Sequence, residues 1–157
     1  MTALPDINTV GVPGTATESF LQTFSGHLIS VQRPDPAMID FVDIVTSLTK
    51  QCRFNGHCKR FYSVAEHTVR GVKLAQRLFP ENKRLAKSFF LHDFTEAYVG
   101  DVIRPVKKHV PQFKEIEKGF HKAICSYFDV KEDDFDENGV HLIDNYMAMW
   151  EKRDLVS

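Results

Sequence analysis

A histidine and an aspartate stand side by side at His92-Asp93, and a second histidine, His67, precedes them. Asp144 lies far downstream, amid apolar residues. Adjacent His and Asp side chains reach one metal ion only where the backbone changes direction, as at a helix end. Alone, such a pair is commonplace; its company gives it weight. An acid on an otherwise apolar helix needs a partner, because an unpaired buried carboxylate is costly. Two imidazoles and two carboxylates from three separated helices make a mixed nitrogen and oxygen donor set. That set suits Mn, Fe, Co, Ni or Zn better than Ca or Mg. A divalent transition metal ion is therefore the expected cofactor, with His67, His92, Asp93 and Asp144 as candidate ligands.

The elements that must position these residues read as helices. Asp40 can cap a helix carrying Phe41, Ile44, Val45 and Leu48 at i, i+3, i+4 and i+7. Ser63 and Glu66 form a capping box that opens a second helix, with His67 in its first turn and Pro80 beyond its end. A third helix is expected from Asn82 to His92, and a short helical piece holds Glu96 and Tyr98 before Gly100 and Pro105 break the chain. A longer helix follows Pro111, with Phe113, Ile116, Phe120, Ile124 and Tyr127 on one stripe. Lys131 to Glu137 reads as an acidic loop. A last helix carries Leu142, Ile143, Tyr146, Met147 and Trp150. Leu28, Ile29 and Val31 suggest one short strand. Residues 1–25, punctuated by Pro5, Gly11, Pro13 and Gly14, read as an irregular arm. The expected fold is all-α: a bundle of about five main helices over residues 26–157, behind a short irregular or strand-containing segment.

Two stretches at this order, Phe61-Tyr-Ser-Val-Ala-Glu-His67 and Leu91-His-Asp-Phe-Thr-Glu-Ala-Tyr-Val-Gly-Asp101, resemble the HD-domain phosphohydrolase superfamily. The nearer likeness is to bacterial HD 5′-deoxynucleotidases and their bacteriophage relatives, over roughly residues 26–155. The resemblance implies the four ligands already singled out. It implies that Glu96 and Asp101 handle the attacking water, that Arg53 binds phosphate, and that Phe54 lies near the sugar. Pro105-Val106-Lys107 matches a further element, which makes Lys107 a candidate substrate contact, and His57 on the Arg53 loop could face the phosphate. The chemistry of these residue types agrees. Glu96, three residues after Asp93, comes beside the metal one helical turn on and can move a proton. The planar fork of Arg53 suits a phosphate.

The resemblance implies hydrolysis of a deoxynucleoside 5′-monophosphate to nucleoside and phosphate. A deoxynucleoside triphosphate triphosphohydrolase, a catalytically silent nucleotide-binding module and a nuclease are the alternatives. The last is disfavoured by a net charge of −1 with no basic stripe. Relatives often continue with further helices, so a second subunit could cover the pocket and a homo-oligomer is expected. The 157 residues suffice for one domain with a real core. An aromatic content of 13 Phe, 4 Tyr and 1 Trp excludes a wholly disordered chain. No apolar run approaches a membrane span, and no signal peptide is visible, so a cytoplasmic setting with no membrane partner is expected. Three cysteines, Cys52, Cys58 and Cys125, do not form a disulfide framework. A structural zinc held by Cys52, Cys58, His57 and His67 is a rival reading, though it lacks the two tight pairs such sites carry. His109, His121 and His141 show no partners, and Cys125 reads as core.

Overall fold

A computed structural model describes residues 18–156. The expected arm therefore lies outside the described residues up to position 17. Within them the chain is mostly helical, with one short two-stranded antiparallel sheet. The strands are β1 (Phe20–Gln22) and β2 (Leu28–Ser30). The helices are α1 (Phe41–Lys50), α2 (Val64–Leu78), α3 (Lys83–Leu91), α4 (Glu96–Val99), α5 (Arg104–Lys107), α6 (Pro111–Tyr127) and α7 (Glu137–Glu151). A π-helical turn, Lys152–Val156, follows α7.

Local hydrogen bonds start these helices where the side chains allow. The Asp40 carboxylate accepts from the Val42 amide at 2.6 Å, and Asn82 accepts from Leu85 at 2.9 Å. The Ser63 hydroxyl accepts from the Glu66 amide at 3.0 Å. The Glu66 side chain pairs outward with Arg60 and Arg70, at 3.2 and 2.7 Å. Asp136 caps α7 through Gly139 at 3.0 Å, so the acidic stretch ends in a helix start. Pro105 does not break the chain. It occupies the first turn of α5, where its missing N–H leaves no bond unmade. Gly100 does end α4, with a φ of 83° that only glycine adopts freely.

Within residues 18–25, expected to be irregular, Phe20–Gln22 form a strand. β1 pairs with β2 in the register Phe20 to Ser30, Leu21 to Ile29 and Gln22 to Leu28. The turn between the strands is tied to α1, because Ser25 donates through its amide and hydroxyl to buried Asp43, at 2.7 and 2.6 Å. These bonds connect positions far apart in sequence, which a reading of local composition does not register.

α2 lies in contact with α1, α3 and α7. One apolar cluster gathers Ile29, Ile44, Leu48, Val64, Leu91, Phe94, Phe120 and Ile124. A second joins α2, α3 and α7 through Ala75, Leu85, Phe89, Val140, Ile143 and Met147. Gly71 permits the close approach of α2 to α3, since a β-carbon there would overlap the Phe89 ring. Leu142, Tyr146 and Trp150, expected on the packed stripe of the last helix, are about half exposed, while Ile143 and Met147 are buried. No helix among the described residues is long and apolar enough to cross a membrane.

Candidate metal centre

His67 reaches the interior because Ser63 fixes the start of α2 one turn earlier. Its ring is fully buried. Its Nδ1 lies 2.7 Å from Oε1 of Glu151, at the end of α7. A carboxylate only accepts, so Nδ1 carries a proton, and in the neutral ring Nε2 carries the lone pair. His92 follows the last residue of α3, and its Nδ1 lies 2.6 Å from the Phe89 carbonyl. The same argument leaves its Nε2 facing inward. Neither Nε2 has a well-directed hydrogen bond among the described residues. Both point at carboxylate oxygens. His92 Nε2 is 3.0 Å from Asp93 Oδ1, and His67 Nε2 is 3.6 Å from Asp93 Oδ2 and 3.5 Å from Asp144 Oδ1.

Lone pairs facing carboxylate oxygens repel one another unless a cation or a proton lies between them. The donor atoms of His67, His92 and Asp93 all lie within 4.8 Å of one another, close enough to hold a metal ion. Asp144 stands at the rim of this group. One of its oxygens faces His67, and the other is held by the Arg104 guanidinium, which also donates to Asn145 at 2.9 Å. The nitrogen and oxygen donors fit a divalent transition metal. A carboxylate behind a ligating imidazole, as Glu151 lies behind His67, is the arrangement that fixes tautomer and ring orientation at metal sites.

The groups of this cluster shift one another's charge. Burial opposes ionisation of Asp93, but His92, His67 and Arg53 outweigh it and hold the carboxyl well below its ordinary range. Burial likewise disfavours a charged His92, yet the Asp93 carboxylate raises its pKa. Glu96 behaves oppositely. Burial, then the charges of Asp93 and Asp101, push it well above the usual carboxylate range. Its Oε1 lies 3.7 Å from Lys107 Nζ, which is bonded to Glu117 at 2.7 Å. Burial also raises Asp101, with Arg53 pulling the other way.

Most of the residues expected at the site converge there. Arg53 is largely buried and bridges two acids, with Nη1 3.5 Å from Asp93 Oδ2 and Nε 3.4 Å from Glu151 Oε2. Its guanidinium carbon sits 5.6 Å from the centre of the Phe54 ring, at the start of a turn with positive φ. Lys107, the candidate substrate contact, is partly buried between Glu96 and Glu117. His57 is exposed and is not among the clustered donors. The zinc arrangement does not form. His67 belongs to the carboxylate cluster, and Cys52 and Cys58 face each other.

Three contributors were not anticipated. Glu151 lies seven residues after Asp144, two helical turns on, and that spacing was a usable signal. Tyr62 donates to the same Glu151 oxygen at 2.7 Å. Gln51, at the end of α1, clamps both ends of α4: its amide donates to the Glu96 carbonyl at 2.8 Å and accepts from the Asp101 amide at 3.0 Å. A cavity of about 510 Å³ borders this region, lined in part by Arg70, Lys73, Arg77 and Trp150. It touches the centre only through Tyr62 and Glu151, so it is not the space between the metal donors.

Over 106 residues, 68% of its length, the chain is 38% identical to the uncharacterized protein YfdR of Escherichia coli K12, covering 56% of that protein. Over 88 residues it is 39% identical to an uncharacterized protein of Rhodobacter capsulatus, covering 44% of it. The chain thus spans about half the length of the curated relatives it matches. No family model matches it.

Proposed function

We propose that this chain is a metal-dependent phosphohydrolase of the HD type, which hydrolyses a deoxynucleoside 5′-monophosphate to nucleoside and phosphate. One observation carries the metal-dependent part: two buried imidazoles have their Nδ1 atoms occupied and turn both Nε2 atoms onto Asp93. The nucleotide part rests on the resemblance of the two motif stretches. His67, His92 and Asp93, with Asp144 at the rim, would hold the ion. When bound, it supplies Lewis acidity at a phosphoryl oxygen and lowers the pKa of a water.

The protein's own groups supply the rest. Water oxygen attacks phosphorus and the bond from phosphorus to the 5′ oxygen breaks. Burial and two neighbouring carboxylates push the Glu96 pKa well above the usual carboxylate range, which suits it to give a proton to the departing oxygen, and one proton of the attacking water restores it. Arg53 offers paired N–H donors to the phosphate once that ligand competes with Asp93 and Glu151. Lys107 holds positive charge beside Glu96, and Gln51 keeps the Glu96–Asp101 turn in place.

The test is phosphate release from a panel of nucleoside mono- and triphosphates, using metal-stripped protein with Mn, Co, Zn or Mg restored. Asp93→Ala is expected to lower release by at least about 100-fold. Release from triphosphates alone would replace the monophosphate reading with the triphosphohydrolase. Nucleotide binding without turnover under every metal would make the chain a binding module. Degradation of single-stranded DNA would make it a nuclease.

A further inference from the structure

Cys52 and Cys58 flank the loop that carries Arg53, and their sulfurs lie 3.4 Å apart. Both are free and partly exposed, whereas Cys125 is buried. Cys52 is held in place by a β-bridge with Ser63, and the neighbouring Arg53 amide donates to the Tyr62 carbonyl at 2.9 Å. Phe54, Asn55 and Gly56 follow in succession with positive φ of 58°, 52° and 76°. That left-handed turn folds the chain back and brings Cys58 against Cys52. Beyond it, the Lys59 amide is tied to the Leu155 carbonyl at 2.7 Å. A disulfide places its sulfurs about 2.05 Å apart, so the pair must close by roughly 1.4 Å. The exposed Asn55–His57 stretch between them can absorb that movement. The hydrogen bond with Cys52 and burial raise the Cys58 thiol above its ordinary range, with the Arg60 charge pulling the other way, so the closeness of the two sulfurs, not a lowered pKa, makes them a pair.

We propose that Cys52 and Cys58 are a reversible dithiol–disulfide pair, closed by hydrogen peroxide, that cross-links the base of the Arg53 loop. One thiolate attacks a peroxide oxygen. The O–O bond breaks, water leaves and a sulfenic acid remains. The second sulfur attacks that sulfur, the S–S bond forms and a second water leaves. The pair is oxidised by two electrons and the peroxide is reduced to two waters. The cross-link constrains the segment whose guanidinium spans Asp93 and Glu151, so thiol oxidation and the metal centre share one loop.

The test is exposure of the folded, fully reduced chain to hydrogen peroxide, followed by alkylation and tryptic mass spectrometry. Cleavage after Lys50, Arg53 and Lys59 is expected to yield Gln51–Arg53 joined to Phe54–Lys59. Free thiols should fall from three to one and return on treatment with dithiothreitol. Cys58→Ser should abolish the joined peptide. Three thiols still free after treatment, or sulfinic acids at single cysteines with no joined peptide, would overturn the proposal. The readout is covalent, so it stands whether or not the chain hydrolyses nucleotides.

Discussion

Glu151 decides which nitrogen His67 turns toward the centre. Its carboxylate accepts from His67 Nδ1 and from Tyr62, and its second oxygen faces Arg53. Burial works against this charge, but the bond and charge of His67, with Arg53, outweigh it and hold the Glu151 pKa down. Glu151→Gln preserves the shape and removes the charge. We expect metal affinity to fall by about 10- to 100-fold, the usual cost of losing a partner behind a ligating histidine. Titration of metal-stripped protein with Mn or Zn measures this. Unchanged affinity would leave Glu151 with a packing role only. At the same scale, the candidate donors were legible in the sequence because His67, His92 and Asp93 sit at recognisable positions, and the structure gathers them into one cluster that could hold a metal ion. The pairing of Arg53 with Asp93 and Glu151 was not, because those acids come from other helices.

Helix placement is the next scale. α2 and α3 approach closely at Gly71 and Phe89, and the Phe89 ring sits 4.2 Å from the His92 ring and 5.6 Å from that of His67. An added methyl at Gly71 therefore meets a ring that also supports both imidazoles. Alanine ordinarily strengthens a helix interior by up to about 1 kcal/mol over glycine. Overpacking here should outweigh that gain, with a net loss of roughly 1–3 kcal/mol. The denaturation midpoint should fall with its slope unchanged, and metal affinity should fall with it. A stabilised Gly71→Ala protein would show that α3 moves aside freely. Helix starts were well marked in the sequence, since Asp40, Ser63 and Asn82 each cap through a bond two or three residues away. The β1 strand was missed because three residues of ordinary composition become a strand only when β2 lies beside them.

Across the whole molecule, a centre assembled from α2, α3 and α7 links helices that otherwise meet through a modest apolar cluster. Metal that binds the folded form alone should stabilise it. At 100 times the dissociation constant the gain is about 2.7 kcal/mol. For a chain of this size, each kcal/mol shifts Tm by about 2–4 °C. A rise of roughly 5–10 °C on adding Mn or Zn to stripped protein is expected, reversed by a chelator and absent in Asp93→Ala. An equal rise in that variant would place binding elsewhere. What the sequence determined by itself was the helical character, the helix starts and the list of residues able to ligate, because caps and periodicity act over a few neighbouring residues. Only the tertiary structure decided the tautomer of His67, the clamp of Gln51 on α4 and the exposure of Leu142, Tyr146 and Trp150. Those depend on contacts such as His67 with Glu151, 84 residues apart, which exist only once packing has brought the helices together.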